Sequence, residues 1–383
     1  MNPTRRKFIK LGGAACLGLP ALANLPVQGA SWNSKPVPND PRAKLPTLNQ
    51  NIRAAADTPR LSMLFQGKSR DELIAWQEKF SAKMRELMGP IDPPTKWTVR
   101  TIETKSFDDH VREEMLLMAD GVPSLPLYVL RPLSPRSSKL PIVLCLHGHG
   151  TSGHDPVVGR DETPELRAEI KKYNYDYARQ LVRHGYMTVA PCFLPFGRRL
   201  DKSQRDAGGD PCTMTFVRLM NLGRTLVAEN LRDARWALDY AASRSDARAD
   251  RIGCVGLSYG GRMTMFTAAF DARVKVAVIS GSLNMFQERV TKDAYCGAQV
   301  VPHILEYGDT PEIASLIAPR PTLWEMGSED LLIVPGWREI AQTRIQRAYA
   351  AAGKPEAVSY HSFKGGHRWE GSATVPLLAR VLK

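Results

Sequence analysis

Outside its first residues, the chain has no apolar run long enough to cross a bilayer, a task that takes about 20 residues. None of its six cysteines stands at metal-ligand spacing from another, and six are too few for a disulfide-stapled scaffold. There is no internal repeat, no low-complexity tract and no basic stretch interleaved with aromatics. These absences exclude a solenoid and a nucleic-acid module, even though the formal net charge is +13. The basic excess is dispersed, as on a solvated surface with some preference for anionic substrates. Hydrophobic residues at 43% and charged residues at 24% are ordinary globular usage, and a chain of 383 residues can bury a sizeable core.

Residues 1–30 hold no acid, and Arg5, Arg6, Lys7 and Lys10 precede an apolar stretch from Leu11 to Leu25. A positive start, a short apolar run and small residues near a cleavage point define a signal peptide. The paired arginines followed by Phe8 resemble the twin-arginine export signal of bacteria, with cleavage expected after Ala23 or Ala30. The resemblance implies a periplasmic or secreted protein with the twin-arginine machinery as a transient partner and no stable membrane span. Cys16 leaves with the signal. Cys145 and Cys254 lie in apolar strands and read as small buried hydrophobes. Cys192 and Cys212 bracket a loop, and whether they pair is open.

Residues 31–95 read as an extended leader to residue 68, followed by an accessory helix. That helix opens on the capping-box pattern Ser69-Arg70-Asp71-Glu72, places Leu73, Trp76, Phe80, Met84 and Leu87 at helical spacing, and ends at Gly89-Pro90. From residue 96 onward the pattern changes. Trp97–Ser106 and Val111–Arg131 alternate as an antiparallel hairpin with a turn at Asp120-Gly121. Strands follow at Leu140–Leu146, Met187–Pro191, Ile252–Leu257, Val274–Ile279, Thr322–Met326 and Val358–His361. Helices are expected at Tyr175–His184, Leu226–Ala242, after Ser258 to Phe270, at Trp337–Ala352 and at Leu377–Leu382. Strands alternating with helices give an α/β fold with a mostly parallel sheet covered on both faces. Ser282–Ile317, with little regular pattern, reads as an insertion over one end of the sheet.

Gly256-Leu257-Ser258-Tyr259-Gly260-Gly261 falls between a buried strand and a helix, the setting of a nucleophile elbow. A sharp turn there lifts Ser258 above the sheet, and the glycines allow strand and helix to approach. A serine hydroxyl needs a base and an orienting acid. Gly365-Gly366-His367 follows the last strand, and its flexible glycines let His367 reach Ser258 as the base. Gly327-Ser328-Glu329-Asp330 closes an earlier strand and offers Asp330 as the acid, with Glu329 and Glu325 as rivals; His361 reads as structural. Oxyanion donors are expected from the backbone N–H groups of Tyr259 and of His149, within His147-Gly148-His149-Gly150. An alternative use of the histidines between His147 and His154 is metal binding, but an oxyanion loop accounts for two of them, and no metal or cofactor is expected. Phe196 and Trp369 are candidates for the pocket wall, within reach of Phe193–Arg199 and the insertion.

These motifs, with Ile317-Ala318-Pro319-Arg320-Pro321, resemble the α/β-hydrolase superfamily from about Trp97 to the C-terminus. They are most similar to the branch that groups dienelactone hydrolase-like and acetyl xylan esterase-like proteins. Dienelactone hydrolases proper carry a cysteine where this chain has Ser258, and they lack the N-terminal extension and the Ser282–Ile317 insertion. The resemblance implies an esterase acting on carboxylic esters, including acyl esters of plant polysaccharide fragments, without a cofactor. Two other readings stand beside it: a serine peptidase similar to prolyl oligopeptidases, and a non-catalytic binding protein on the same scaffold.

Overall fold

The computed structural model describes residues 45–383 apart from 136, 202, 204, 205, 207, 208, 293 and 294. The signal peptide and the first part of the leader therefore lie outside the described residues. The remainder of the leader is not all extended, because Leu48–Asp57 forms a helix, α1. Leu48, Ile52, Ala55 and Ala56 recur at helical spacing, but Leu48 and Ile52 stay exposed and only Ala56 is buried. It is held by a tertiary contact, in which the Gln287 side-chain amide donates to the Ala56 carbonyl at 2.8 Å.

Helix α2 spans Arg70–Met88 and begins with the expected reciprocal cap. Ser69 accepts from the Glu72 N–H, and the Glu72 carboxylate accepts from the Ser69 N–H at 2.9 Å. Leu73, Phe80, Met84 and Met88 are buried in the main core. The Gln77 side chain donates to the carbonyls of Ser315 and Ala318 at 2.8 and 2.9 Å. The helix thus packs on the body as an integral part of its core.

Nine strands form one sheet in the order β1-β2-β3-β5-β4-β6-β7-β8-β9. They are β1 Thr98–Ser106, β2 His110–Met118, β3 Leu125–Pro132, β4 Leu140–Leu146, β5 Met187–Pro191, β6 Ala247–Leu257, β7 Val274–Ser280, β8 Thr322–Gly327 and β9 Val358–Phe363. Pairs β1–β2, β2–β3 and β3–β5 are antiparallel, and β5 onward is parallel. The expected hairpin is thus a three-stranded meander, since Val111–Arg131 is two strands folded at Asp120-Gly121. Residues of β4 alternate between two cores: Ile142, Leu144 and Leu146 face one, Val143 and Cys145 the other. A strand covered on both faces has no polar side, which is why its sequence is continuously apolar.

The covering helices are α3 Pro164–Tyr173, α4 Tyr177–Arg183, α5 Pro211–Met220, α6 Leu226–Ser243 and α7 Tyr259–Phe270, then α8 Phe286–Val290, α9 Ile304–Tyr307 and α10 Thr310–Ser315, and finally α11 Trp337–Ala351 and α12 Thr374–Leu382. Helices α8 to α10 occupy the span read as irregular; each is too short for its periodicity to register in sequence. They are bolted down by polar contacts. The buried Asp309 carboxylate accepts from the N–H groups of Phe286 and Gln287 at 2.6 and 2.9 Å, and Arg262 donates to Thr310 Oγ1 at 2.7 Å. No helix among the described residues is long and apolar enough to cross a membrane.

Phe80 is fully buried and would lie 2.9 Å from a β-carbon placed on Gly308. Phe80→Ala is expected to lower stability by about 3–5 kcal/mol, read as a lower urea midpoint. A cost near zero would show that α2 is a dispensable attachment.

Candidate active site

Strand β6 runs straight into α7 with Ser258 as the hinge, at φ 62° and ψ −123°. A non-glycine residue at such a φ is strained, and the strain persists only where the surroundings impose it. They do so through backbone contact. A β-carbon on Gly260 would stand 1.8 Å from the Leu146 carbonyl oxygen, and one on Gly256 would stand 2.3 Å from that of Gly260. The ends of β4 and β6 and the first turn of α7 are therefore in direct touch. Two bonds fix the hinge: the Ser258 N–H donates to the Ser280 carbonyl at 2.9 Å, and the Arg262 N–H donates to that of Ser258 at 2.9 Å.

The turns after β8 and β9 are laced together, with Ser328 N–H donating to Phe363 O and Glu329 N–H to Gly365 O, both at 2.8 Å. This lacing brings His367 Nδ1 to 2.7 Å from Asp330 Oδ2. The other oxygen of the buried Asp330 accepts from the Leu332 N–H at 2.9 Å. The imidazole also meets Gly281, where a β-carbon would lie 2.8 Å from His367 Cε1, 2.9 Å from His367 Nδ1 and 3.1 Å from Leu257 Cδ1. Gly281 directly follows the residue that anchors Ser258, so His367 sits beside the hinge with Nδ1 committed to the carboxylate. The rival acids go elsewhere. Glu325 is buried, accepts from Ser280 and Thr374 hydroxyls at 2.6 Å each, and has its carboxyl pushed up by burial. Glu329 is exposed. His361 lies 3.2 Å from Glu370, apart from this group.

Above Ser258 runs the loop after β4. A β-carbon on Gly148 would stand 3.2 Å from Ser258 Cβ and 2.7 Å from the Tyr175 hydroxyl. The Gly148 N–H donates to that hydroxyl at 2.5 Å. Among the described residues, neither the His149 N–H nor the Tyr259 N–H at the start of α7 has a hydrogen-bond acceptor. His147 braces the loop from within: its Nε2 accepts from the Phe193 N–H at 2.9 Å, so Nδ1 carries the proton donated to Gly148 O at 2.8 Å. Tyr175 is the site residue that sequence reasoning missed. The signal was there, since Tyr173, Tyr175 and Tyr177 recur at every second position from the end of α3 to the start of α4.

Both suggested pocket residues are buried. Trp369 is almost fully buried, packs against Tyr177 with ring centroids 5.7 Å apart, and donates its backbone N–H to Tyr173 O at 3.1 Å. These contacts fasten the His367 loop to the segment between α3 and α4. Phe196 is also buried, wedged between His149 and Tyr259 at 5.1 and 5.4 Å. Cys192 and Cys212 are not paired. The Cys192 thiol faces Phe196 O at 3.4 Å, whereas Cys212 Sγ lies 3.4 Å from His149 Nε2, with Cys296 beside it. A large surface groove opens at the opposite end of the sheet, lined by Asp109, Leu140, His184 and Lys383. It lies at the amino end of β4, whereas ligands of open α/β sheets bind at the carboxyl ends, so the groove carries no part of the site.

A parallel sheet crossed by a strained strand–serine–helix hinge defines an α/β hydrolase. The sequence pattern of the Abhydrolase family matches residues 57–374, and the chain belongs to that family. A Bacillus subtilis (strain 168) protein named as a candidate hydrolase, YtaP, is 28% identical over 284 residues, 73% of this chain and 90% of its own. Among solved structures, a candidate acetyl xylan esterase from Bacteroides fragilis NCTC 9343 superposes with a TM-score of 0.71 at 18% identity, covering 88% of this chain and 95% of that one. A glucuronoyl esterase from Solibacter usitatus gives 0.62 at 15% identity, covering 88% and 98%.

Burial pushes His147 down from an ordinary 6.5 to about 4, and it pushes His154, whose ring nitrogens have no hydrogen-bond partner among the described residues, well down too. Below pH 6.5 the unfolded chain gains protons that these rings refuse while folded, so stability falls as pH falls towards about 4, by up to about 1.4 kcal/mol per pH unit for each ring. His154→Leu is expected to flatten that slope in urea titrations while leaving stability at pH 7 nearly unchanged. An unaltered slope would mean that His154 takes up its proton within the folded protein.

Proposed function

We propose that this protein hydrolyses carboxylic esters through an acyl-enzyme on Ser258. The observation that carries the reading is the strained Ser258 hinge with the Asp330–His367 pair on one side and the Gly148–His149 loop on the other. In this reading His367 Nε2, left free by the Nδ1 bond to Asp330, takes the Ser258 proton as the hydroxyl attacks the ester carbonyl. Asp330 holds the tautomer and stabilises the imidazolium. The negative charge of the tetrahedral intermediate falls on the carbonyl oxygen, where the N–H groups of His149 and Tyr259 receive it at the start of α7. His367 then returns the proton to the leaving alcohol, and water releases the acid by the same steps. The reaction calls for neither redox nor electrophilic help, so no cofactor enters.

The substrate class we favour is an acyl ester, acetyl foremost, on plant polysaccharide fragments, in keeping with the esterases of similar fold. The paired arginines and apolar run of residues 1–30 support export by the twin-arginine route to the periplasm or medium. Detection of the mature protein only in the cytoplasm of a source-like bacterium would overturn that part.

The test is a panel of acetyl, feruloyl, uronate methyl and lactone esters beside an aminopeptidase-type amide, with fluorophosphonate labelling. Ester turnover and labelling are expected, and Ser258→Ala should abolish both while leaving the fold intact. His367→Ala and Asp330→Asn should each lower kcat by about four orders of magnitude. Amide turnover without ester turnover would favour a peptidase, and neither turnover nor labelling a binding protein. If Asp330→Asn were silent while Glu329→Gln or Glu325→Gln was not, the acid would be misassigned.

Tyr175 acts here as a positioning residue, since its hydroxyl tethers Gly148 next to the proposed oxyanion site. Tyr175→Phe leaves the buried Gly148 N–H without its acceptor, a loss of about 1–3 kcal/mol. Its mark should be a lower kcat with little change in KM for the same ester. A change in thermal midpoint alone, with kcat preserved, would reduce Tyr175 to a structural role.

A further inference from the structure

Three side chains remote in sequence meet beside the proposed oxyanion loop and take no part in the mechanism above. The ligating atoms of His149, Cys212 and Cys296 all lie within 4.8 Å of one another. Cys212 is fully buried, like Cys145, Cys192 and Cys254, whereas Cys296 is partly open and His149 is exposed. We propose that His149, Cys212 and Cys296 bind a soft divalent cation of the zinc class, with a fourth coordination position open to solvent.

Geometry is the first support. A zinc ion about 2.3 Å from a thiolate and about 2.0 Å from an imidazole nitrogen holds them roughly 3.5 Å apart in a tetrahedron. Cys212 Sγ and His149 Nε2 are 3.4 Å apart, so that pair already stands at the separation an ion would impose, and Cys296 lies within 4.8 Å of both. The donor chemistry is the second support. Two thiolates and an imidazole favour zinc or cuprous copper over magnesium or calcium, and two thiolates balance the charge of a divalent ion.

The surroundings are built to keep the three together. Asp210 caps α5, accepting from the N–H groups of Cys212 and Thr213 at 3.1 and 3.2 Å, and so fixes the turn that carries Cys212. Cys296 leads into a short turn, Gly297–Gln299. A β-carbon on Gly297 would meet Cys212 O at 2.7 Å and Thr213 Cα at 2.8 Å. The two cysteine segments therefore pack backbone to backbone. His149 is held edge-on by Phe196 yet remains exposed, which gives an ion a path in. The site is independent of the esterase reading. Its consequence for that reading is that a bound ion would tether the loop lying over Ser258.

The test uses the full mature chain, reduced, stripped with a chelator and dialysed against zinc chloride, with cobalt(II) as a spectroscopic probe. One zinc per chain is expected, together with the near-ultraviolet thiolate-to-cobalt band and intense visible bands of a tetrahedral site. Both should be lost in Cys212→Ser, Cys296→Ser and His149→Ala but kept in His303→Ala, whose exposed imidazole reports adventitious surface binding. Circular dichroism without metal checks folding. If the buried Cys212→Ser does not fold, the more accessible Cys296→Ser and His149→Ala decide. Substoichiometric binding, binding indifferent to these substitutions, or a thiol titration that finds Cys212 and Cys296 joined as a disulfide with no metal bound would each overturn the proposal.

Discussion

The structure depends on a backbone contact: the first turn of α7 lies against the Leu146 carbonyl at the end of β4, with no room for a side chain at Gly260. The contact forces β6 to turn at once into α7 and holds Ser258 at a positive φ that it would not adopt alone. Much of the cost is offset by what flanks it. The sheet is covered on both faces, and α7 is buried along nearly its whole length, so the strained residue belongs to a unit that cannot relax piecemeal. The same contact sets the loop after β4 directly over Ser258, because that loop begins where the touching carbonyl ends.

Around this hinge, polar groups fall into two kinds. His147 and His154 are held neutral by burial, and His147 uses both nitrogens to shape the loop. His367, by contrast, is partly open and rests on a buried carboxylate that also takes a backbone N–H. An imidazole so placed can gain a proton with its counter-charge already in position, which is what proton transfer at Ser258 would demand. One histidine set thus serves geometry and one suits chemistry, and burial separates them.

Much of the fold was legible because its signals are local. β4 and β5 match their expected limits, and β6 to β9 and helices α6, α7 and α11 are recovered to within a few residues, since apolar runs and helical periodicity need no knowledge of neighbours. The Ser69–Glu72 cap is readable for the same reason: it closes within one turn. The short helices α8 to α10 escaped because they are held by distant partners such as Asp309. The burial of Trp369 is not legible either, because an aromatic beside a candidate catalytic residue looks the same in sequence whether it is open or packed in the core.

The sequence by itself determined that a serine lies in a glycine-flanked strand-to-helix turn, and that a carboxylate and a histidine follow it at the ends of later strands. Steric exclusion and strand order are written in residue type and spacing, so these needed no coordinates. Only the tertiary structure decided that Asp330, and neither Glu325 nor Glu329, meets His367, that Tyr175 holds Gly148, and that Cys212 turns to His149 and Cys296 instead of Cys192. Each is a contact between segments far apart in the chain. Which of several chemically equivalent partners is met depends on the register of the sheet and the packing of its loops, and no local pattern encodes that.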